Sequence, residues 1–104
     1  MLEERMNQEQ LEELAEAMLT IRTRDEAFLF FEDIFTIKEL QAVAQRLAVA
    51  RLLKQKVTYQ DIADQTGAST ATISRVNRSL TYGAGGYQMV LGRMKDTSGA
   101  ASDE

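Results

Sequence analysis

Chemistry in this chain must come from hydroxyl, amide, carboxylate and guanidinium groups, because its 104 residues include neither histidine nor cysteine. Those two absences remove thiolate and imidazole zinc sites, Cys/His nucleophile pairs and Ser-His-Asp triads. Carboxylate-only metal or acid/base chemistry survives on composition alone, with no spacing that supports it. The residues with the most suggestive spacing lie in Thr58–Leu80, TYQDIADQTGASTATISRVNRSL. If Ile73 and Val76 point inward on a helix, then Ser69, Thr70, Ala71, Ser74, Arg75 and Arg78 point outward, with Thr72 near the edge. Short hydroxyl and methyl side chains at a helix N-terminus let the backbone come close to base edges in a major groove. Thr70 and Thr72 can offer a hydrogen bond or a methyl contact to thymine. Arg75 and Arg78 can grip phosphates, or guanine if angled inward. Ser69, together with Tyr59 and Gln60 at the start of the preceding helix, is placed for phosphates through side chains and helix-end amides. For each polar residue the plainer reading is capping or simple exposure.

The elements that would hold these residues form a helix-turn-helix over 58–80. Thr58 caps a first helix, and Asp61 supplies the acidic half of a capping box. Ile62, Ala63 and Thr66 share one face. Gly67 sits where the chain must leave the helix with positive φ. Ser69 or Thr70 caps the second helix, whose inner face carries Ile73, Val76 and Leu80 at spacings of three and four. Small Ala63 permits close approach across the short turn. An ordinary helical hairpin would use the same caps and periodicity. The joint spacing of Ala63, Gly67, Ile73 and Val76 favours the helix-turn-helix.

The length allows one domain with one modest core, and scarce β-branched alternation makes the expected class all-α. Residues 1–95 are expected to form that domain, and 96–104 (DTSGAASDE) a disordered tail. Asn7 caps a helix to about Ile21, with Leu11, Leu14, Met18 and Ile21 on one face and Glu9, Glu12, Glu13 and Glu16 on another. Thr23 with Glu26 boxes a second helix from Arg24 to about Asp33. Its run AFLFFEDIF has more aromatic mass, in Phe28, Phe30, Phe31 and Phe35, than one surface stripe can hide. Part of it should be core and part should meet another subunit. Thr36 with Glu39 opens the longest helix, to about Lys54, apolar over so much of its circumference that it should be central. Gln55 to Val57 break the chain before the helix-turn-helix. Gly83, Gly85 and Gly86 read as a helix stop and hinge, since no strand or lysine pattern makes a phosphate cradle of them. Tyr87, Val90, Leu91 and Met94 form one face of a short last helix.

The net charge of −4 at first disfavours a nucleic-acid partner, but its distribution does not. Residues 1–39 hold eleven acids and four bases, 40–80 six bases and two acids, and 81–104 two bases and three acids. Screening beyond about 10 Å lets the basic segment bind phosphates while the acidic part faces away. No apolar run is long enough to cross a bilayer and the first ten residues are too acidic for a signal peptide, so a cytoplasmic location and no membrane partner are expected.

GASTATISRVNRSL resembles the turn and recognition helix of the Trp repressor family, whose motif has the form GA-x-x-ATI-[ST]-R-x-x-x-SL. FTIKELQAVAQR resembles the segment leading into that family's central helix, and the YerC/YecD-like branch shares YGAGGYQMVL. The resemblance covers roughly Phe28 to Met94. It implies a bundle of about six helices, an intertwined homodimer, sequence-specific binding of double-stranded DNA and transcriptional control, usually repression. It also implies a tryptophan pocket, from which this chain departs. Where the Trp repressor has a glycine after the motif arginine, this sequence has Val76, whose branched side chain would fill the space. Arg75 and Thr36 match pocket residues; the second pocket arginine maps only to Arg46 or its neighbour Gln45. Tryptophan is therefore not expected to bind, no cofactor is expected, and any other small-molecule effector is left open. The reading is a homodimeric DNA-binding regulator and not an enzyme. The competing reading is a helix-turn-helix serving as a protein-interaction module, with the acidic N-terminal face as its surface.

Overall fold

A computed structural model of the chain describes residues 4 and 6–102, with side chains described as far as Met94. Among the described residues there are six helices and no strand: α1 Gln8–Leu19, α2 Arg24–Ile34, α3 Ile37–Lys54, α4 Tyr59–Thr66, α5 Thr70–Tyr82 and α6 Gly86–Ser102. The helix starts follow from local side-chain chemistry. The Asn7 side chain accepts from the Gln10 N–H at 3.0 Å, and the Thr23 hydroxyl from the Glu26 N–H at 3.1 Å. Thr36 and Glu39 form a complete reciprocal box, with Thr36 N–H donating to the Glu39 carboxylate at 2.9 Å and Glu39 N–H to the Thr36 hydroxyl at 3.1 Å. At Thr23 the box is displaced by one residue, because Glu26 accepts from Arg22 N–H rather than from the cap itself. The α1 helix stops at Leu19, two residues short of the apolar pattern, where the Thr20 hydroxyl donates to the Ala17 carbonyl at 2.7 Å.

Contacts divide the chain into two units, Met1–Leu40 and Gln41–Glu104, with the boundary inside α3. In the first unit neither α1 nor α2 contains a buried residue. Phe31 and Phe35 pack edge to face at 5.9 Å, while Phe28 and Leu29 are mostly exposed. The second unit closes a core of Val49, Ala50, Leu52, Ile62, Ala68, Ile73, Val76 and Leu91, drawn from α3, α4, α5, the α4–α5 turn and α6. Leu47, Leu53, Val57, Ala63 and Tyr87 pack around it.

The exit from α3 is a Schellman turn. Val57 N–H reaches the Leu52 carbonyl at 3.1 Å and Lys56 N–H the Leu53 carbonyl at 3.0 Å. Lys56 takes the left-handed position, φ 65°, which glycine usually fills. Val57 returns to the core, so the turn also sets the entry to α4. At the other end, Gly83 closes α5 with its N–H on the Ser79 carbonyl at 2.8 Å. A Cβ on Gly83 would lie 2.2 Å from that carbonyl oxygen, so only glycine fits. The Gln88 side chain then donates to the Leu80 carbonyl at 3.3 Å, tying α6 to the end of α5. The last helix begins at Gly86 and its backbone continues to Ser102, where a disordered tail from Asp96 was expected. The final part of that expected tail, 103–104, lies outside the described residues.

Candidate nucleic-acid interface

The helix-turn-helix is built from α4, a three-residue turn and α5. Thr58 caps α4 by accepting from Asp61 N–H at 3.2 Å. Among the described residues only this hydroxyl half of the expected box forms. Thr66 organises the turn: its hydroxyl donates to the Ile62 carbonyl at 2.7 Å and accepts from Ala68 N–H at 3.1 Å. Gly67 follows in the left-handed conformation, φ 74° and ψ 4°, with its N–H on the Ala63 carbonyl. That reversal carries Ala68 into the core and Ser69 to the start of α5. Gln45 of α3 supports the same turn, its side-chain amide donating to the Thr66 carbonyl at 3.1 Å. Sequence reasoning offered Gln45 only as an alternative to Arg46 at the position of a pocket arginine and missed this role, for which only its place on the central helix gave a signal.

Ser69, not Thr70, caps α5 by accepting from Thr72 N–H at 3.1 Å. The Ser69 and Thr72 hydroxyls are themselves bonded at 3.1 Å, so both are engaged in the cap. Ile73 is fully buried and Val76 is 2% exposed, which fixes the rotation of the helix. Thr70, Ala71, Ser74, Arg75 and Arg78 are consequently exposed, and Thr72 is half-buried at the edge. Tyr59 and Gln60 are exposed in the first turn of α4. The Gln60 amide is turned along its own helix, donating to Asp64 at 3.2 Å. Among the described residues Arg75 and Arg78 meet no acid, leaving two guanidinium groups available to an external anion. All nine sequence-derived positions sit on α4, α5 or the turn between them; eight are exposed and Thr72 is half-buried.

Beside this face an open cleft of about 560 Å³ is lined by Tyr59, Ser74, Asn77, Arg78, Thr81 and Tyr82. Asn77, Thr81 and Tyr82 were not singled out by sequence reasoning, although Asn77 lies between Ser74 and Arg78, and Thr81 and Tyr82 continue that stretch by one helical turn. Of the positions aligned with a tryptophan pocket, Val76 is committed to the core, Thr36 to the cap of α3 and Gln45 to the turn, while Arg75 is exposed. Arg46 is exposed on α3. Among the described residues no helix is long and apolar enough to cross a membrane.

The chain is similar throughout to known proteins of one kind. The family model described as Trp repressor protein matches residues 9–95. The uncharacterized protein YerC of Bacillus subtilis (strain 168) is 44% identical over 101 residues, which is 97% of each chain. A TrpR-like protein from Eubacterium eligens superposes with a TM-score of 0.84 at 49% identity, over 88% of this chain and 95% of that one. A candidate Trp repressor from Staphylococcus aureus superposes with a TM-score of 0.86 at 47% identity, over 91% and 95% of the two chains. With the six-helix order and the helix-turn-helix already in place, these likenesses settle the family: the chain belongs to the Trp repressor family of DNA-binding regulators.

Proposed function

We propose that the protein is a sequence-specific DNA-binding transcriptional regulator, acting as a repressor from a homodimer in the cytoplasm, with no catalytic activity of its own. The carrying observation is the rotation of α5. Burial of Ile73 and Val76 turns Thr70, Ala71, Ser74, Arg75 and Arg78 outward as one surface that bears two uncommitted guanidinium groups. In the major groove, Thr70, Ala71 and Thr72 approach base edges, while Tyr59, Gln60, Ser69 and the arginines hold the phosphates. Two such helices in a dimer read a palindrome with half-sites about one helical turn apart.

The dimer is supported by the N-terminal unit, which leaves Phe28 55%, Leu29 66% and Ile37 76% exposed. Apolar exposure on that scale is what a second copy would cover. Tryptophan is not the effector in this proposal, since Val76 stands in the core at the position where the resembled repressor keeps a glycine. Random-duplex selection on the purified protein tests the reading: one enriched sequence supports it, and an unenriched pool removes it. Strongly salt-dependent binding that Arg75→Ala and Arg78→Ala each weaken is the accompanying expectation.

A further inference from the structure

The cleft beside α5 shares Tyr59, Ser74 and Arg78 with the reading surface and adds Asn77, Thr81 and Tyr82 to it. Its lining of Tyr59, Ser74, Asn77, Arg78, Thr81 and Tyr82 contains one cation, two phenols, two aliphatic hydroxyls, one carboxamide and no carboxylate. That is notable in a chain with sixteen acidic residues against twelve basic ones. Tyr82 is 83% exposed and Tyr59 38%, so two aromatic rings border a polar cleft at the surface. Among the described residues neither ring packs on another aromatic ring. Ser74, Arg78, Thr81 and Tyr82 recur at spacings that keep them on one face of α5.

Position along the helix then decides what this cleft can meet. At 1.5 Å per residue, Thr81 lies about 16 Å beyond Thr70. The major groove is only about 12 Å wide. A helix entering with its N-terminal end at the bases therefore brings its second half to the sugar–phosphate wall. We infer that this cleft seats a backbone segment of the duplex: Arg78 faces the phosphate, Asn77 and Thr81 donate to its oxygens, and the Tyr59 and Tyr82 rings flank the sugar. Asn77, Thr81 and Tyr82 thereby join the interface as residues that position the reading helix without reading sequence. The inference rests on the proposed DNA binding and adds residues to it.

The test is fluorescence anisotropy of the full chain on a selected duplex and on a scrambled duplex. Tyr82→Ala and Thr81→Ala, both at exposed positions, should each weaken binding to both duplexes roughly three- to tenfold, the size of one lost hydrogen bond or contact. The ratio between the duplexes should stay unchanged, as backbone contacts require. Arg78→Ala should in addition lower the salt dependence by about one phosphate. Circular dichroism should show the variants folded. If both variants bind like the unmodified protein while Arg75→Ala weakens binding, the cleft assignment is overturned and the regulator reading stands. If the unmodified protein binds no duplex, both fall. A titration with deoxyadenosine monophosphate separates a free nucleotide from the duplex backbone. Saturable, Tyr82-dependent binding of the mononucleotide with unaltered duplex affinity in the variants would overturn the inference.

Discussion

The two units of this chain treat apolar residues in opposite ways. Residues 41–104 bury a core of eight residues, and Val49, Ile62 and Ile73 are wholly inaccessible. Residues 1–40 contain the densest aromatic run in the sequence, yet neither α1 nor α2 contains a fully buried residue, and Leu19, Leu29 and Ile37 are 83%, 66% and 76% exposed. Charge divides similarly, with the excess acids in the first 39 residues and the excess bases between Leu40 and Leu80. Hydrophobic content alone therefore does not make a core; a face needs a partner. The second unit finds its partners within itself, and on the proposed reading it holds a fixed surface toward DNA. The first, on the proposed reading, finds them in a second copy.

That contrast can be broken or sharpened by substitution. The largest effect is expected at Ile73→Ala, where a fully buried side chain shared by α5 and the core is removed. A loss of about 2–5 kcal/mol, read by chemical denaturation, should abolish duplex binding with it. A loss below about 1 kcal/mol would mean that the second unit is not packed as described. Next comes Leu29→Ala in the first unit. A solvated residue would cost within about 0.5 kcal/mol, whereas one buried against a second copy should cost about 1.5–3 kcal/mol of dimer stability. Analytical ultracentrifugation across concentration distinguishes the two. Gly67→Ala should cost about 1–2 kcal/mol through backbone strain alone, because the added Cβ has only the Gln45 amide near it, at 4.0 Å. An unchanged thermal midpoint would show that the turn tolerates a side chain at φ 74°. Gln45→Ala removes one hydrogen bond to the turn and should cost about 0.5–1.5 kcal/mol. Its duplex affinity should fall with stability and return when the protein is cooled.

The parts of the fold legible in the sequence were those determined within four residues. Asn7, Thr23, Thr36, Thr58 and Ser69 all cap helices by bonding the N–H three residues on. Gly67 was likewise identifiable, since few residues other than glycine adopt the left-handed cap. Interactions across longer separations were not legible. In α3, apolar residues lie on nearly every side, so periodicity could not reveal that Val49, Ala50 and Leu52 are buried while Val43 remains 40% exposed. Gln45 reaches a carbonyl twenty-one residues away, a contact no local rule anticipates. The choice between Ser69 and Thr70 as the cap depended on where the turn releases the chain. The cleft residues Thr81 and Tyr82 were missed because the outward face was followed only as far as Arg78, and Asn77 because it is half-buried between that face and the core side.

Binding-site selection from a random duplex pool, on the purified full chain, tests both halves of the comparison at once. Enrichment of a single palindrome whose two half-sites are about one helical turn apart is expected, with α5 as the proposed reader and the first unit as the proposed device that pairs two readers. An enriched site without two-fold symmetry would contradict the pairing, and a pool with no enrichment would contradict the reading itself.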